Sequence, residues 1–307
     1  MKTITFKNKE LDVAANVYLP NGFDPARKYP AIVSAHPIGS CKEQTSGNIY
    51  GERLAAEGYV VLAFDASYQG ASGGEPRFIE DPGLRVEDFR CALDYLVTLD
   101  YVDSDRIGVL GICGGGGYAV NAAMTDRRFK AVGTVTAVNI GRMLREGDLS
   151  PEAAIKTLDA IAQQRTDEAR GAELRVDFTL PDSPEQAAEL GVTALDVLEA
   201  TKYYRTPRGQ QPNGTTAWLF SHLGPVLGYD AFHLAEQLLT QPLQIIVGSI
   251  PGEFGAYRDG FDLFTRARSQ DKNILVVPEA SHYDLYWQPE ATSQALDALT
   301  TFYNKYL

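Results

Sequence analysis

A thiol set among glycines is the first feature of this chain that could do chemistry. Residues 111–117 read GICGGGG, so Cys113 has Gly111 two residues before it and Gly115 two residues after it. That is the spacing of a nucleophile elbow, in which a strand bends sharply into a helix and presents one side chain at the bend. Glycine on either side lets the strand and the helix approach each other. A rival match lies upstream, where Gly70-Ala71-Ser72-Gly73-Gly74 fits the pattern G-x-S-x-G letter for letter. Its surroundings do not fit. The apolar run before Ser72 ends at Ala66, and Pro76 and Pro82 forbid a helix directly after it. RIGVL, by contrast, runs straight into Ile112 and Cys113, and residues 115 to 125 can continue as a helix. Four glycines start a helix poorly on propensity, but here the demand for space outweighs it. Cys113 is the candidate nucleophile, and Cys41 and Cys91, which lack this context, read as packing residues.

A nucleophilic thiol needs a base and a place for the developing negative charge. The chain has four histidines. His282 lies in PEASHYD, a loop after the last expected strand, where open parallel sheets place their sites. His36 ends the run AIVSAHP and belongs with an oxyanion loop, on the substrate-binding side. His222 and His233 read as structural or substrate-facing. Two backbone N–H groups are needed for the oxyanion. One is expected from Gly114, after the nucleophile. The other comes from His36-Pro37-Ile38-Gly39, where Pro37 has no N–H and Ile38 or Gly39 must donate. A thiol paired with an imidazole can sit as thiolate and imidazolium, since a positive neighbour and a helix N-terminus both lower its pKa.

The elements that must position these groups alternate. Strands are expected at 3–9, 11–20, 31–37, 59–66, 106–112 and 130–139, with amphipathic stretches at 44–57 and 86–100. Buried strands reading as continuous apolar runs between helices indicate an α/β fold with a mostly parallel central sheet flanked by helices. The rhythm stops near residue 140 and resumes with PLQIIVGS at 242–249, NILVVPEA at 273–280 and a terminal helix from Glu290. Residues 1–139 and 241–307 therefore read as the core domain, and 140–240 as a mainly helical cap or lid insertion. Tyr204 and Arg205, in the YYRTPR run of that insertion, are expected to bind substrate, the arginine through a carboxylate or other anion.

With HPIGSCKEQ, FDASYQGASGGEPR, LGICGGGGYA, YYRTPRG and DAFHLAEQLLTQP, nearly the whole chain resembles the α/β-hydrolase superfamily. The G-x-C-x-G elbow is similar to that of dienelactone hydrolase, and the set of segments to the YcjY-type and polyketide-transferase-like branch. The resemblance implies a Cys–His–acid hydrolase or acyltransferase with a helical cap. In the superfamily's order the nucleophile comes first, the acid next and the histidine last, which selects His282. Ile38 matches the donor position after the histidine-led turn. The acid is expected just beyond PLQIIVGS, where Glu253 is the first choice and Asp259 the alternative, although Asp259 could equally cap a helix.

Bulk properties exclude several functions. The chain has 307 residues and a net charge of −12, which argues against nucleic-acid binding. It has no apolar run long enough to span a membrane, a polar start unlike a signal peptide, and three scattered cysteines. A cytoplasmic location with free thiols is expected. No phosphate loop or metal cluster is evident, so no cofactor is expected. The expected activity is cleavage of an ester, thioester or lactone in a small-molecule acyl substrate through an acyl-enzyme. Acyl transfer at the same site is the alternative, and a non-catalytic ligand-binding protein a third reading. Homo-oligomerisation is left open.

Overall fold

The apolar runs fold into a central sheet, seen in a computed structural model that describes residues 1–146 and 151–307. The strands are β1 (Lys2–Asn8), β2 (Leu11–Tyr18), β3 (Tyr29–Ala35), β4 (Val60–Phe64), β5 (Val102–Ile112), β6 (Phe129–Val135), β7 (Val176–Phe178), β8 (Ala217–Leu219), β9 (Leu243–Gly248) and β10 (Lys272–Val277). Among the described residues, eight of these form one sheet in the order β1-β2-β4-β3-β5-β6-β9-β10. The first two pairings, β1 with β2 and β2 with β4, are antiparallel, and the rest are parallel. All five residues of β4 are buried, because helices cover both faces of the sheet. Leu93, Val120 and Leu263 pack one face, from the helices Pro82–Val97, Gly114–Thr125 and Ala256–Arg266. Leu54, Leu299 and Tyr303 pack the other, the last two from the terminal helix Pro289–Tyr306.

This topology fixes where a site can form. The chain passes from β3 to β4 on one side and then returns to β5 on the other. A crevice opens outside the carboxyl ends of neighbouring parallel strands at such a reversal. The loop after β3 carries Ile38, and the bend after β5 carries Cys113.

Between β6 and β9 the chain leaves the sheet. This stretch holds the helices Ile140–Glu146, Pro151–Ala169, Pro184–Glu189 and Leu195–Arg205, and β7 paired antiparallel with β8. The sequence suggests no buried strand here, yet Ala217, Trp218 and Leu219 are all buried. Three residues are too few for alternation to reveal a strand. The stretch 44–57 also departs from a simple helix. Thr45–Gly51 winds in wide π turns before Glu52–Ala56 becomes α-helical, and the wide turns bring the Ser46 carbonyl to the Ser34 hydroxyl at 2.8 Å. No described helix is long and apolar enough to cross a membrane.

Candidate active site

Strand β5 ends at Ile112, a helix begins at Gly114, and Cys113 between them has φ 54° and ψ −127°. A non-glycine residue in this region is strained and persists only where its surroundings enforce it. Here they do. The Cys113 N–H donates to the Val135 carbonyl at 3.0 Å, while its own carbonyl accepts from Gly116 and Val138 at 2.8 and 2.9 Å. The flanking glycines are required by space, since a Cβ on Gly111 would run into the Gly115 carbonyl and one on Gly115 into the His36 carbonyl.

Two amides converge on the sulfur. The backbone N–H groups of Gly114 and Ile38 both hydrogen-bond the Cys113 thiol, and a Cβ on Gly114 would overlap the Ile38 side chain. The Ile38 amide is aimed by His36. That ring is fully buried and accepts the Ala66 N–H on Nε2 at 3.0 Å, which leaves Nδ1 protonated to donate to the Pro37 carbonyl at 2.6 Å. Burial and the neighbouring Arg85 push its pKa well down, so the ring stays neutral. His36 is thus an internal brace of the loop rather than a residue that meets substrate. Gly39, the alternative donor, takes φ +67° to turn the chain, and its carbonyl accepts the Thr216 N–H at 2.9 Å, tying the loop to the insertion.

His282 is held in the loop after β10 by reciprocal bonds: Ser281 N–H to Asp284 Oδ2 at 3.0 Å, and Asp284 N–H to Ser281 Oγ at 3.1 Å. Its Nε2 lies 3.1 Å from the Tyr286 hydroxyl, and that hydroxyl also hydrogen-bonds the Cys113 thiol. Tyr286 therefore links the imidazole to the thiol, one helical turn after the histidine. This spacing was readable in HYDLY but is not among the sequence expectations. Burial pushes the thiol up to about 11 and the imidazole down to about 3. Desolvation disfavours both charges, so burial favours the neutral pair over the thiolate and imidazolium that the sequence allows.

The expected acids do not reach the ring, whose Nδ1 has no hydrogen-bond partner. Glu253 is exposed, and its two oxygens accept the N–H groups of Leu195 and Asp196, both at 3.1 Å, at the start of the helix Leu195–Arg205. It serves as a cap for that helix. Asp259 is buried in an ion pair with Arg142 and accepts the Asn139 N–H at 2.8 Å. Unmentioned in the sequence reading, Asp196 is buried beside this loop, with Oδ2 accepting the Phe254 N–H at 2.6 Å and Oδ1 unpartnered. Burial pushes its carboxyl up to about 6.

Cys113 opens onto a cavity of about 220 Å³. Core residues Ile38, Tyr283 and Tyr286 form one side, and Met143, Leu180, Val197, Tyr204 and Trp218 from the insertion form the other. Among the described residues, no charged side chain lines it. Tyr204 lines this cavity. Arg205 does not, because Nε donates to the Pro181 carbonyl at 3.1 Å and Nη2 to Thr216 Oγ1 at 2.7 Å. The upstream serine is occupied too: Ser72 Oγ donates to the Asp65 carbonyl and accepts the Ala14 N–H.

Comparison with known proteins agrees with this architecture. The chain is 42% identical over 306 residues to the uncharacterized protein YcjY of Escherichia coli K12, covering 98% of this chain and 96% of YcjY. It is 35% identical to the uncharacterized protein PA2218 of Pseudomonas aeruginosa, over 93% of this chain and 76% of that one. The crystal structure of PA2218 superposes with a TM-score of 0.90, covering 100% of this chain and 93% of that chain. The polyketide transferase claH of Penicillium crustosum is 26% identical over 65% of this chain and 63% of its own length. Residues 10–219 match the family described as X-Pro dipeptidyl-peptidase (S15 family), and with the eight-stranded, mostly parallel sheet and its flanking helices the chain belongs to that family within the α/β hydrolases.

Proposed function

We propose that the protein is a hydrolase with Cys113 as its nucleophile, cleaving an ester, thioester or lactone through an acyl-enzyme. One observation carries the reading: two amide N–H groups and a histidine-linked tyrosine hydroxyl all address a single strained thiol at the mouth of an apolar cavity. Sγ attacks the acyl carbon while its proton passes to the Tyr286 oxygen and the tyrosine proton passes to His282 Nε2. The amides of Ile38 and Gly114 take up the oxyanion, replacing hydrogen bonds now made to sulfur. Collapse of the tetrahedral intermediate expels the leaving group, which recovers the proton by the same route. A water molecule, activated by the returned base, then releases the acid.

The cavity walls argue for the acyl class over the dipeptide class in the family's name. A substrate with a free amino terminus would bring an ammonium into a cavity where, among the described residues, no lining carboxylate could pair with it. Acyl transfer is the second reading, favoured by the insertion residues that cap the cavity and shield an acyl-enzyme from water, and consistent with a relative named polyketide transferase.

Intact mass spectrometry after incubation with a panel of neutral esters tests both. The expected result is an acyl adduct that maps to Cys113, is absent in Cys113→Ala, and decays in water. An adduct that persists until an alcohol or amine is added selects transfer. A protein that never acquires an adduct or turns over an ester is not an acyl-enzyme former, and the proposal fails.

A further inference from the structure

Building on the thiol-nucleophile reading, we propose that Asp196, carried by the insertion, is the positioning carboxylate for His282, facing its Nδ1 through a small cavity that the two residues share. That cavity has a volume of about 10 Å³ and is lined by Asp196 and His282 together with Thr136, Gly248 and Gly252. Such a volume is about that of one water-sized probe, and the carboxylate and the ring both border it. Both side chains are nearly sealed, at 1% and 4% exposure. Each leaves one polar atom without a partner, Oδ1 on the aspartate and Nδ1 on the histidine. Buried polar groups are rarely orphaned, and two that border one cavity satisfy each other if they meet across it.

The loop after β9 is shaped for this visitor. A Cβ on Gly252 would collide with the Asp196 carboxyl, so only glycine leaves room for it. Phe254 donates its N–H to Oδ2 at 2.6 Å. Glu253, sequence-adjacent and pointing outward, holds the Asp196 N–H at 3.1 Å and thereby fixes the helix turn that carries the acid. The place where a sheet residue would supply a carboxylate is thus filled from the insertion. The charged and titratable groups around Asp196 are Glu253 and Glu199, both of which raise it, with Cys113, Tyr283 and His282 close by.

The consequence is chemical. An ionised Asp196 accepts from Nδ1–H, keeps Nε2 as the basic nitrogen toward Tyr286, and stabilises the imidazolium when the thiol proton arrives. With its carboxyl near 6, that support is present above pH 6 and lost as pH falls through it. Docking of the insertion then completes the catalytic group as well as the cavity.

Asp196→Asn keeps size and an acceptor for Phe254 while removing the charge. The readouts are ester turnover and, independent of any substrate, the rate of Cys113 alkylation by iodoacetamide as a function of pH. We expect kcat to fall about 10²-fold with little change in KM, the acidic limb of the profile to vanish, and alkylation near neutrality to slow in parallel. Asp196→Glu should restore part of the limb. Gly252→Ala, which alters no charge but crowds the carboxylate, should move both readouts in the same direction. If Asp196→Asn keeps the wild-type limb and alkylation rate while Cys113→Ala is inactive, the nucleophile stands and the role of Asp196 is refuted. If the wild-type protein forms no acyl adduct, both fall together.

Discussion

At the scale of single residues, the thiol is kept protonated and handed its exit route for the proton. Burial drives Cys113 to about 11 and His282 to about 3, so neither group is charged near neutral pH. In the proposed mechanism, attack on a carbonyl must therefore be coupled to proton removal, and among the described residues the Tyr286 hydroxyl lies between the two partners. Tyr286→Phe keeps the ring and its packing against Tyr203 and Tyr283, at centroid distances of 5.3 and 4.6 Å, and removes only that link. Acylation is expected to slow about 10²-fold, the usual worth of a positioned proton carrier. The hydroxyl also lowers the thiol's pKa by hydrogen bonding, so the midpoint of thiolate absorbance should rise in the variant. Unchanged acylation would mean that sulfur and imidazole meet directly during the reaction, and the relay would be discarded.

At the scale of elements, the bend between β5 and the helix Gly114–Thr125 reverses an ordinary rule about glycine. In an exposed helix interior, Gly→Ala stabilises by about 1 kcal/mol. Gly115 is buried, and a methyl there would overlap the carbonyls of His36 and Ala35, which are backbone and cannot rotate away. Gly115→Ala is expected to destabilise by about 1–3 kcal/mol, as overpacked sites do, and to push the Ile38 loop off the sulfur. Chemical denaturation and ester turnover should report both losses; a more stable Gly115→Ala protein would refute the close-approach argument. The same contrast explains what the sequence could reveal. Glycine spacing around Cys113, the buried runs of the sheet and the position of His282 after β10 are local signals, and the structure places a bend, strands and a loop there. Asp196 carries no such signal. It reaches its place because a helix of the insertion docks beside a loop 57 residues later in the chain, which puts its Oδ2 on Phe254, and spacing within either segment is silent about that. Glu253 misleads for the related reason that it sits in the right loop but turns its carboxylate to the helix it caps.

At the scale of the whole molecule, charge and cavity act in the same direction on substrate choice. The protein carries a net charge of −12, and among the described residues the cavity beside Cys113 has an uncharged lining shared between the sheet's end and the insertion. An acyl chain ending in a carboxylate would meet long-range repulsion and then lose its hydration with no cation to replace it. Arg205 cannot supply one, since its guanidinium is committed to the Pro181 carbonyl and Thr216 Oγ1, and Arg208 stacks over Trp287 at 4.0 Å. Burying an unpaired ion costs several kcal/mol even after relaxation, and each 1.4 kcal/mol is a factor of ten. A neutral p-nitrophenyl ester should therefore exceed its chain-matched, carboxylate-terminated counterpart in kcat/KM by at least about 10²-fold. The two contributions separate with salt, because ionic strength screens the surface field but not the desolvation inside the cavity. High salt should narrow the ratio only modestly, and Arg205→Ala should leave it unchanged if the insertion folds normally. Equal rates for the two esters, or a ratio that collapses in Arg205→Ala, would place the acyl group somewhere other than this cavity.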